Sequence, residues 1–348
     1  MNNNDLSTEA QKAKVEANYL KSIELLGAQI KQSYNEASKI KLPASFKGVN
    51  KIITCGMGGS QLGAELIKQL FSDKLNVPIL QIHDYHLPKY ADNNSLILLL
   101  SYSGTTEEVL TILNEAKKRT KKIIVITVGG GLAQAAQKNN WPLYQFNPIN
   151  NPSNQPRMGT GYMIGSVLAF LQKLNLVKLA SSEITEVIKS AAVSQLLKNQ
   201  AKKIAKSLQN KVPVIITAEH LQANAHIMAN QINESAKQRC YFFALPELNH
   251  HLLEGLEFPR EGKKHLSFVF LFSKNYYSRN QKRFKITQDV LKKQKLSCQL
   301  LDLKGSKVNE SLQVLALGSL LSYELSKINK VDPNKIIWVN YFKQKMHE

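Results

Sequence analysis

The order of apolar runs along the chain predicts an α/β fold of two similar halves, each a mostly parallel sheet flanked by helices. Three observations carry this. Short apolar runs rich in branched residues alternate with longer segments of helical period, the pattern of parallel strands joined by crossover helices. Two strands of the first half run straight into turns of small residues that open a helix, Gly56-Met57-Gly58-Gly59-Ser60 and Ser101-Tyr102-Ser103-Gly104-Thr105-Thr106. Beyond an Asn- and Pro-rich stretch at 147–156, the second half repeats the order of strands and helices.

Taken in order, residues 6–40 have helical period. Ala17, Leu20, Ile23, Leu25, Leu26 and Ile30 supply an apolar stripe, and Pro43 ends the pattern. This helix is expected to pack on the first half or on a partner subunit. Lys51–Cys55 is a short strand of β-branched character, followed by the first glycine turn and a helix through Leu62, Ala64, Leu66, Ile67 and Leu70. Further strands are expected at 77–82, Ser95–Leu100, 122–128 and, more weakly, 143–146, with helices between most of them. The stretch 147–156 reads as a linker. Helices are then expected over 162–174 and 182–208, a connection between the halves. In the second half, strands at 212–217, 240–245, Leu266–Phe272 and 296–303 alternate with helices at 223–234, 280–293 and 314–326. The tail holds Pro333, an apolar piece at 336–339 and a short helical segment at 341–346. The expected division is therefore 1–150, 151–210, 211–330 and a tail at 331–348.

The chain has 348 residues, with 46 Lys and Arg against 26 Asp and Glu, a net charge of +20. Such an excess suits an anionic partner. Much of it is Lys scattered on helical faces, and no basic arm with interleaved aromatics, zinc-finger spacing or helix-turn-helix accompanies it, so nucleic acid is not an expected partner. Three distant cysteines, Cys55, Cys240 and Cys298, make no disulfide framework. No run approaches membrane-spanning length, and no basic-then-apolar leader pattern stands at the start. A cytoplasmic protein without membrane attachment is expected.

The two turns of the first half lie where ligands of α/β sheets bind, at the carboxyl ends of strands. The unpaired N–H groups of a helix start attract an anion, and hydroxyls beside them add hydrogen bonds. One reading of each turn is a phosphate cradle. The other is an ordinary helix start, with Ser103 or Thr105 capping and Glu107 and Glu108 complementing the dipole. Two such turns on one sheet edge favour the cradle. The second half has no glycine-rich turn. It offers Glu234 in a cluster with Asn230, Gln231, Asn233 and Lys237, either a positioned base or a solvated Glu paired with Lys237. It also offers His250 just past a strand, able to act as acid or base near neutral pH. His83, Asp84 and His86 have no further ligands at metal-site spacing, so no metal is expected.

Gly56-Met57-Gly58-Gly59-Ser60, Ser101-Tyr102-Ser103-Gly104-x-Thr106-Glu107-Glu108, Pro156-Arg157, Asn233-Glu234-x-Ala236-Lys237 and Glu247-Leu248-Asn249-His250 occur in that order. Together with Val331-Asp332-Pro333 and Phe342-Lys343 they resemble the bifunctional phosphoglucose/phosphomannose isomerases, proteins of two sugar-isomerase (SIS) subdomains. The resemblance implies that Gly59, Ser60, Ser101, Ser103 and Thr106 hold the phosphate of a sugar phosphate. It implies Glu234 as the base that moves a proton between C2 and C1 through a cis-enediol, and Arg157 as the cation beside the enediolate. His250 and Lys343 would assist ring opening, with His250 supplied across the interface of a homodimer. No cofactor is implied. The sequence departs from the family at Thr105, Gln61, Asn334 and His251; Asn334 bears on whether both C2 epimers are accepted. The alternatives are a non-catalytic SIS sensor of sugar phosphates and a SIS enzyme acting on another sugar phosphate.

Overall fold

The computed structural model describes residues 3–346. Both predicted sheets are present, and every strand pair in them is parallel. The chain forms two compact units. One is made of residues 24–192, the other of the residues up to Ile23 together with those from Val193 onward.

The predicted N-terminal helix is two. α1 (Asn3–Glu24) and α2 (Leu26–Ser38) are separated by a turn at Leu25. The body of α1 belongs with the C-terminal residues. Tyr19 is fully buried, stacks on Tyr323 at 5.9 Å and shares a 2.6 Å hydrogen bond with Ser235.

In the unit of residues 24–192, α2 is followed by β1 (Lys51–Cys55), α3 (Gly59–Leu70), β2 (Ile79–Ile82) and β3 (Ser95–Leu100). Then come α4 (Glu107–Arg119), β4 (Ile123–Thr127), α5 (Gly130–Lys138), β5 (Leu143–Gln145), α6 (Thr160–Lys173) and α7 (Ser181–Ser190). All six residues of β3 are buried, as an unbroken apolar run demands of a strand covered on both faces. One face packs Ile53, Cys55, Ile97, Leu99, Ile123 and Val125 against Ile112, Leu113 and Leu132 of α4 and α5. The strand order is β2-β1-β3-β4-β5. The chain therefore reverses direction across the sheet between β1 and β3, and the loops leaving these two strands part to opposite faces. That is the crevice in which a doubly wound sheet binds ligands.

The helix expected over 182–208 is also two. Ser194 ends the break by accepting the N–H of Leu197 at 3.1 Å as the N-cap of α8 (Gln195–Ser207). The segment expected to join the halves is thus divided between the two units. The second unit continues with β6 (Val212–Ala218), α9 (Gln222–Ala236), β7 (Tyr241–Leu245), α10 (Leu252–Gly255) and β8 (Leu266–Phe272). It ends with α11 (Ser278–Lys293), β9 (Ser297–Asp302), α12 (Lys307–Ile328) and α13 (Ile337–Met346). The strand order β7-β6-β8-β9 again reverses, between β6 and β8. Helix α12 is buried along most of its length. It packs on α8 and α9 and is pinned to α9 by Asn224–Ser311 and Gln231–Ser319 hydrogen bonds.

The second crevice is filled from within. Past β6, His220 Nε2 lies 3.0 Å from Glu310 Oε2 in the first turn of α12, and Ser273, just past β8, donates to the same oxygen at 2.6 Å. Glu310 is 1% exposed. An internal carboxylate thus occupies the place where the first unit presents hydroxyls and glycines. Replacing Glu310 with Ala leaves two buried polar groups without their acceptor. A stability loss of about 2 kcal/mol is expected, the usual effect of orphaning buried donors, and urea unfolding measures it.

Candidate active site

The first switch point is built from backbone. β1 leads into Gly56 and Met57, and Gly58 takes φ +48° so that the chain turns into α3. No side chain caps α3. Gly59 is required by packing, because a Cβ there would sit 2.9 Å from the Cα of Arg157. Ser60 is buried, and its Oγ accepts the main-chain N–H of Tyr102 at 2.9 Å, which ties the first turn to the second.

The second turn closes on its own hydroxyls. Ser101 Oγ lies 2.7 Å from Thr106 Oγ1 and accepts the Gly104 N–H at 3.0 Å. Ser103 and Thr105 share a hydrogen bond of 2.9 Å. Thr106 is the N-cap residue of α4, yet its side chain does not cap, and neither Ser103 nor Thr105 takes that place. The first turn of α4 therefore keeps its N–H groups uncapped by side chains, and Glu107 and Glu108 stand in that same turn, where they complement the helix dipole. The capping by Ser103 or Thr105 expected of an ordinary helix start is not made, whereas the complementing of the dipole by Glu107 and Glu108 is, and the uncapped N–H groups fit the cradle reading.

A third turn completes the edge, and sequence reasoning passed over it. After β4, Gly129 and Gly130 pack on the second turn, and Leu132 N–H donates to Gly104 O at 3.0 Å. The signal was present in Thr127-Val128-Gly129-Gly130-Gly131, a third strand-to-helix turn rich in glycine.

Arg157 lies in a single 3-10 turn, Pro156–Met158, with its backbone against Gly59. It is 5% exposed. Its main chain thus stands beside the first turn. Gly59, Ser60, Ser101, Ser103, Thr106 and Arg157 are thus gathered at one edge of one sheet.

The other predicted residues belong to the second unit and stand on three separate elements. Glu234 is half-buried in the last turn of α9. That helix ends at Lys237, φ +53°, whose ammonium donates to the main-chain oxygen of Glu234 at 2.6 Å. Asn233 locks the helix end to the residue just before β7 by donating to Cys240 O at 2.9 Å and accepting Cys240 N–H at 3.1 Å. With Ser235 held by Tyr19, both neighbours of Glu234 are fixed. His250 ends the 3-10 turn Glu247–His250 after β7 and is exposed. The turn is anchored by buried Leu248 and by Asn249, which donates to Thr287 at 2.8 Å and accepts from Arg283 at 3.1 Å. Lys343 is exposed on α13, a helix with no buried residue.

Val331, Asp332 and Pro333 line a cavity of about 530 Å³ with Glu16 of α1 and Lys327 and Lys330 at the end of α12. None of the predicted site residues lines it. Among the described residues no three His, Cys, Asp or Glu side chains are grouped as metal ligands. His86 instead pairs with Glu115 at 2.6 Å, and that carboxylate raises its pKa. No helix among the described residues is long and apolar enough to cross a membrane.

Comparison with known proteins places these features. Residues 45–141 match the SIS domain, and residues 197–346 match the bacterial phospho-glucose isomerase C-terminal SIS domain. The fold agrees with the C-terminal domain of glucosamine-fructose-6-phosphate aminotransferase from Francisella tularensis, with a TM-score of 0.67 at 15% identity, covering 92% of this chain and 96% of that one. Fold and domain matches together define a protein of two SIS units. The chain is 30% identical to a bifunctional phosphoglucose/phosphomannose isomerase of Caldicellulosiruptor bescii, over 94% of this chain and 98% of the relative. It is 26% identical to the protein of that name from Thermoplasma volcanium, over 88% and 96%. It belongs to the bifunctional phosphoglucose/phosphomannose isomerase family.

Proposed function

We propose that the protein interconverts glucose 6-phosphate, and also mannose 6-phosphate, with fructose 6-phosphate in the cytoplasm, by proton transfer through a cis-enediol and without metal or cofactor. The observation that carries the reading is the edge of the first sheet: two uncapped helix starts, a set of hydroxyls and a buried Arg, all in a chain of this family. Gly59, Ser60, Ser101, Ser103 and Thr106 take the phosphate. Glu234 removes a proton from C2 of the open-chain aldose and returns it to C1, so one carboxylate serves both halves of the exchange. Arg157 stabilises the oxyanion of the enediolate without giving up its own proton. The phosphate is remote from the reacting carbons, and its binding energy orients them. His250 and Lys343 assist opening of the ring, and His250 acts in the neighbouring subunit of a homodimer. Exposed apolar side chains on α13, among them Ile337, Trp338 and Phe342, support such a partner.

The test is a coupled assay on fructose 6-phosphate with and without chelator, and on mannose 6-phosphate separately. Turnover indifferent to chelator is expected. Loss of activity to chelator would overturn the metal-free route, and sugar-phosphate binding without turnover would make the protein a sensor. A blank result with mannose 6-phosphate would leave a dedicated glucose phosphate isomerase.

The phosphate role has its own test. Thr106→Val keeps the side-chain shape and removes the hydroxyl that lies 2.7 Å from Ser101. A KM increase of about 10-fold with kcat unchanged within about twofold is expected, the effect of one hydrogen bond to a charged group. Intact KM with lost turnover would mean that the turn takes part in the chemistry.

A further inference from the structure

The stretch 147–156, which reads as a linker, is a hydrogen-bonded strap. Gln32 of α2 donates to Asn147 O at 3.0 Å and accepts from Asn150 Nδ2 at 2.8 Å. Gln29 donates to Asn150 O at 3.0 Å and to Met158 O at 2.9 Å, so one side chain holds the strap ahead of Arg157's turn and at that turn's last residue. At its centre Asn151 is 2% exposed and donates to the Tyr102 hydroxyl at 2.9 Å and to Gln155 O at 2.9 Å. Tyr102 in turn donates to Asn154 Oδ1 at 3.3 Å. Asn154 sits at φ +52°, where the strap bends toward Pro156 and Arg157.

Tyr102 therefore belongs to two structures at once. Its main chain is part of the phosphate edge: the N–H goes to Ser60 Oγ, and the oxygen accepts Val128 N–H at 2.9 Å. Its side chain belongs to the strap. The ring lies so close to Gly159 that a Cβ there would come within 2.5 Å, and it meets Phe146 edge-on at 5.5 Å. Burial pushes the phenol up to about 12, so the hydroxyl keeps the proton it donates.

We propose that Tyr102 is a positioning residue for Arg157: its hydroxyl, held between Asn151 and Asn154, fixes the strap that leads into the Pro156–Met158 turn on which Arg157 stands. The inference rests on the reading of Arg157 as the cation beside the enediolate. It makes the second residue of the Ser101–Thr106 turn answer for the reacting end of the substrate, while the hydroxyls around it answer for the phosphate.

The experiment is a double-mutant cycle on fructose 6-phosphate turnover, with inorganic phosphate as a competitive inhibitor. Tyr102→Phe is expected to lower kcat about 10-fold and to leave the phosphate inhibition constant within about twofold. In an Arg157→Ala background the same change should have no further effect on kcat, because a residue that acts through Arg157 has nothing left to position. An equal drop in both backgrounds, or a parallel loss of phosphate affinity, would overturn the proposal and leave Tyr102 a general packing residue. Asn154→Gly removes one partner of the hydroxyl while keeping the backbone at ease. It should lower kcat about threefold with the same dependence on Arg157, and it decides the matter if the Phe variant does not fold. Wild-type protein without turnover, or Arg157→Ala with full turnover, would instead strike the functional reading itself.

Discussion

Glu234→Gln is expected to reduce turnover of fructose 6-phosphate by about 1,000-fold, within the range seen when a general base is removed. The amide keeps the size and most of the hydrogen-bonding geometry of the carboxylate. What it loses is the ability to take a proton from carbon. Glu234 is suited to that loss being clean. It stands in the last turn of α9, between Asn233 and Ser235, and both of those neighbours are held by other elements of the same unit. The backbone under residue 234 should therefore stay where it is in the variant. Inorganic phosphate should inhibit residual activity with an unchanged constant, since the turns around Ser60 and Ser101 do not involve this residue. Loss of phosphate affinity in step with turnover would place Glu234 in binding and leave the base unassigned.

Residue type and period were enough to read the sheets of this chain, because buried parallel strands are unbroken apolar runs such as Leu96–Leu100 and cannot be solvated helix faces. The breaks at Leu25 and at 191–194 were harder. Neither holds a Gly or Pro, and the second depends on Ser194 turning its hydroxyl back to a main-chain N–H, a choice that a helical Ser also has available. The site divided in the same way. Glycine and hydroxyl turns are local, so the stretches 56–60 and 101–106 could be picked out as anion-friendly from their residues, and the resemblance named Gly59, Ser60, Ser101, Ser103 and Thr106 within them. Arg157 and Glu234 could not. Each is one charged residue among many, and the family resemblance singled them out. The strap was misread for a related reason. Asn and Pro signal irregular backbone, and they do so equally whether the backbone is loose or, as with Asn150 and Asn151, hydrogen-bonded to a neighbouring helix and a buried Tyr. Tyr102 stands inside the Ser101–Thr106 motif with nothing nearby in sequence to mark its role, because its partners lie about fifty residues downstream.

Gly104→Ala is expected to be the most damaging single-methyl change at the first sheet's edge. Two costs combine there. Gly104 has φ +72°, a conformation that costs an L-residue roughly 1 kcal/mol. The added Cβ would also lie 1.8 Å from the carbonyl oxygen of Gly129 and 2.7 Å from Thr127 Oγ1, and backbone cannot yield as a side-chain tip does. Forced overpacking of this kind costs up to about 3 kcal/mol, so a total near 4 kcal/mol is expected. The control is Gly48→Ala. Gly48 has nearly the same φ, +71°, with nothing within 4 Å of the new methyl, so it should lose only about 1 kcal/mol. Urea unfolding separates the two. The functional consequence should separate them further. To admit the methyl, the second and third turns must part, which breaks the Leu132 N–H to Gly104 O bond that joins them. Phosphate affinity, read by calorimetry, should fall by more than about 10-fold in Gly104→Ala and stay unchanged in Gly48→Ala. A Gly104→Ala protein that binds phosphate normally would show that the anion is taken elsewhere, and would remove the sheet edge as the anchor of the substrate.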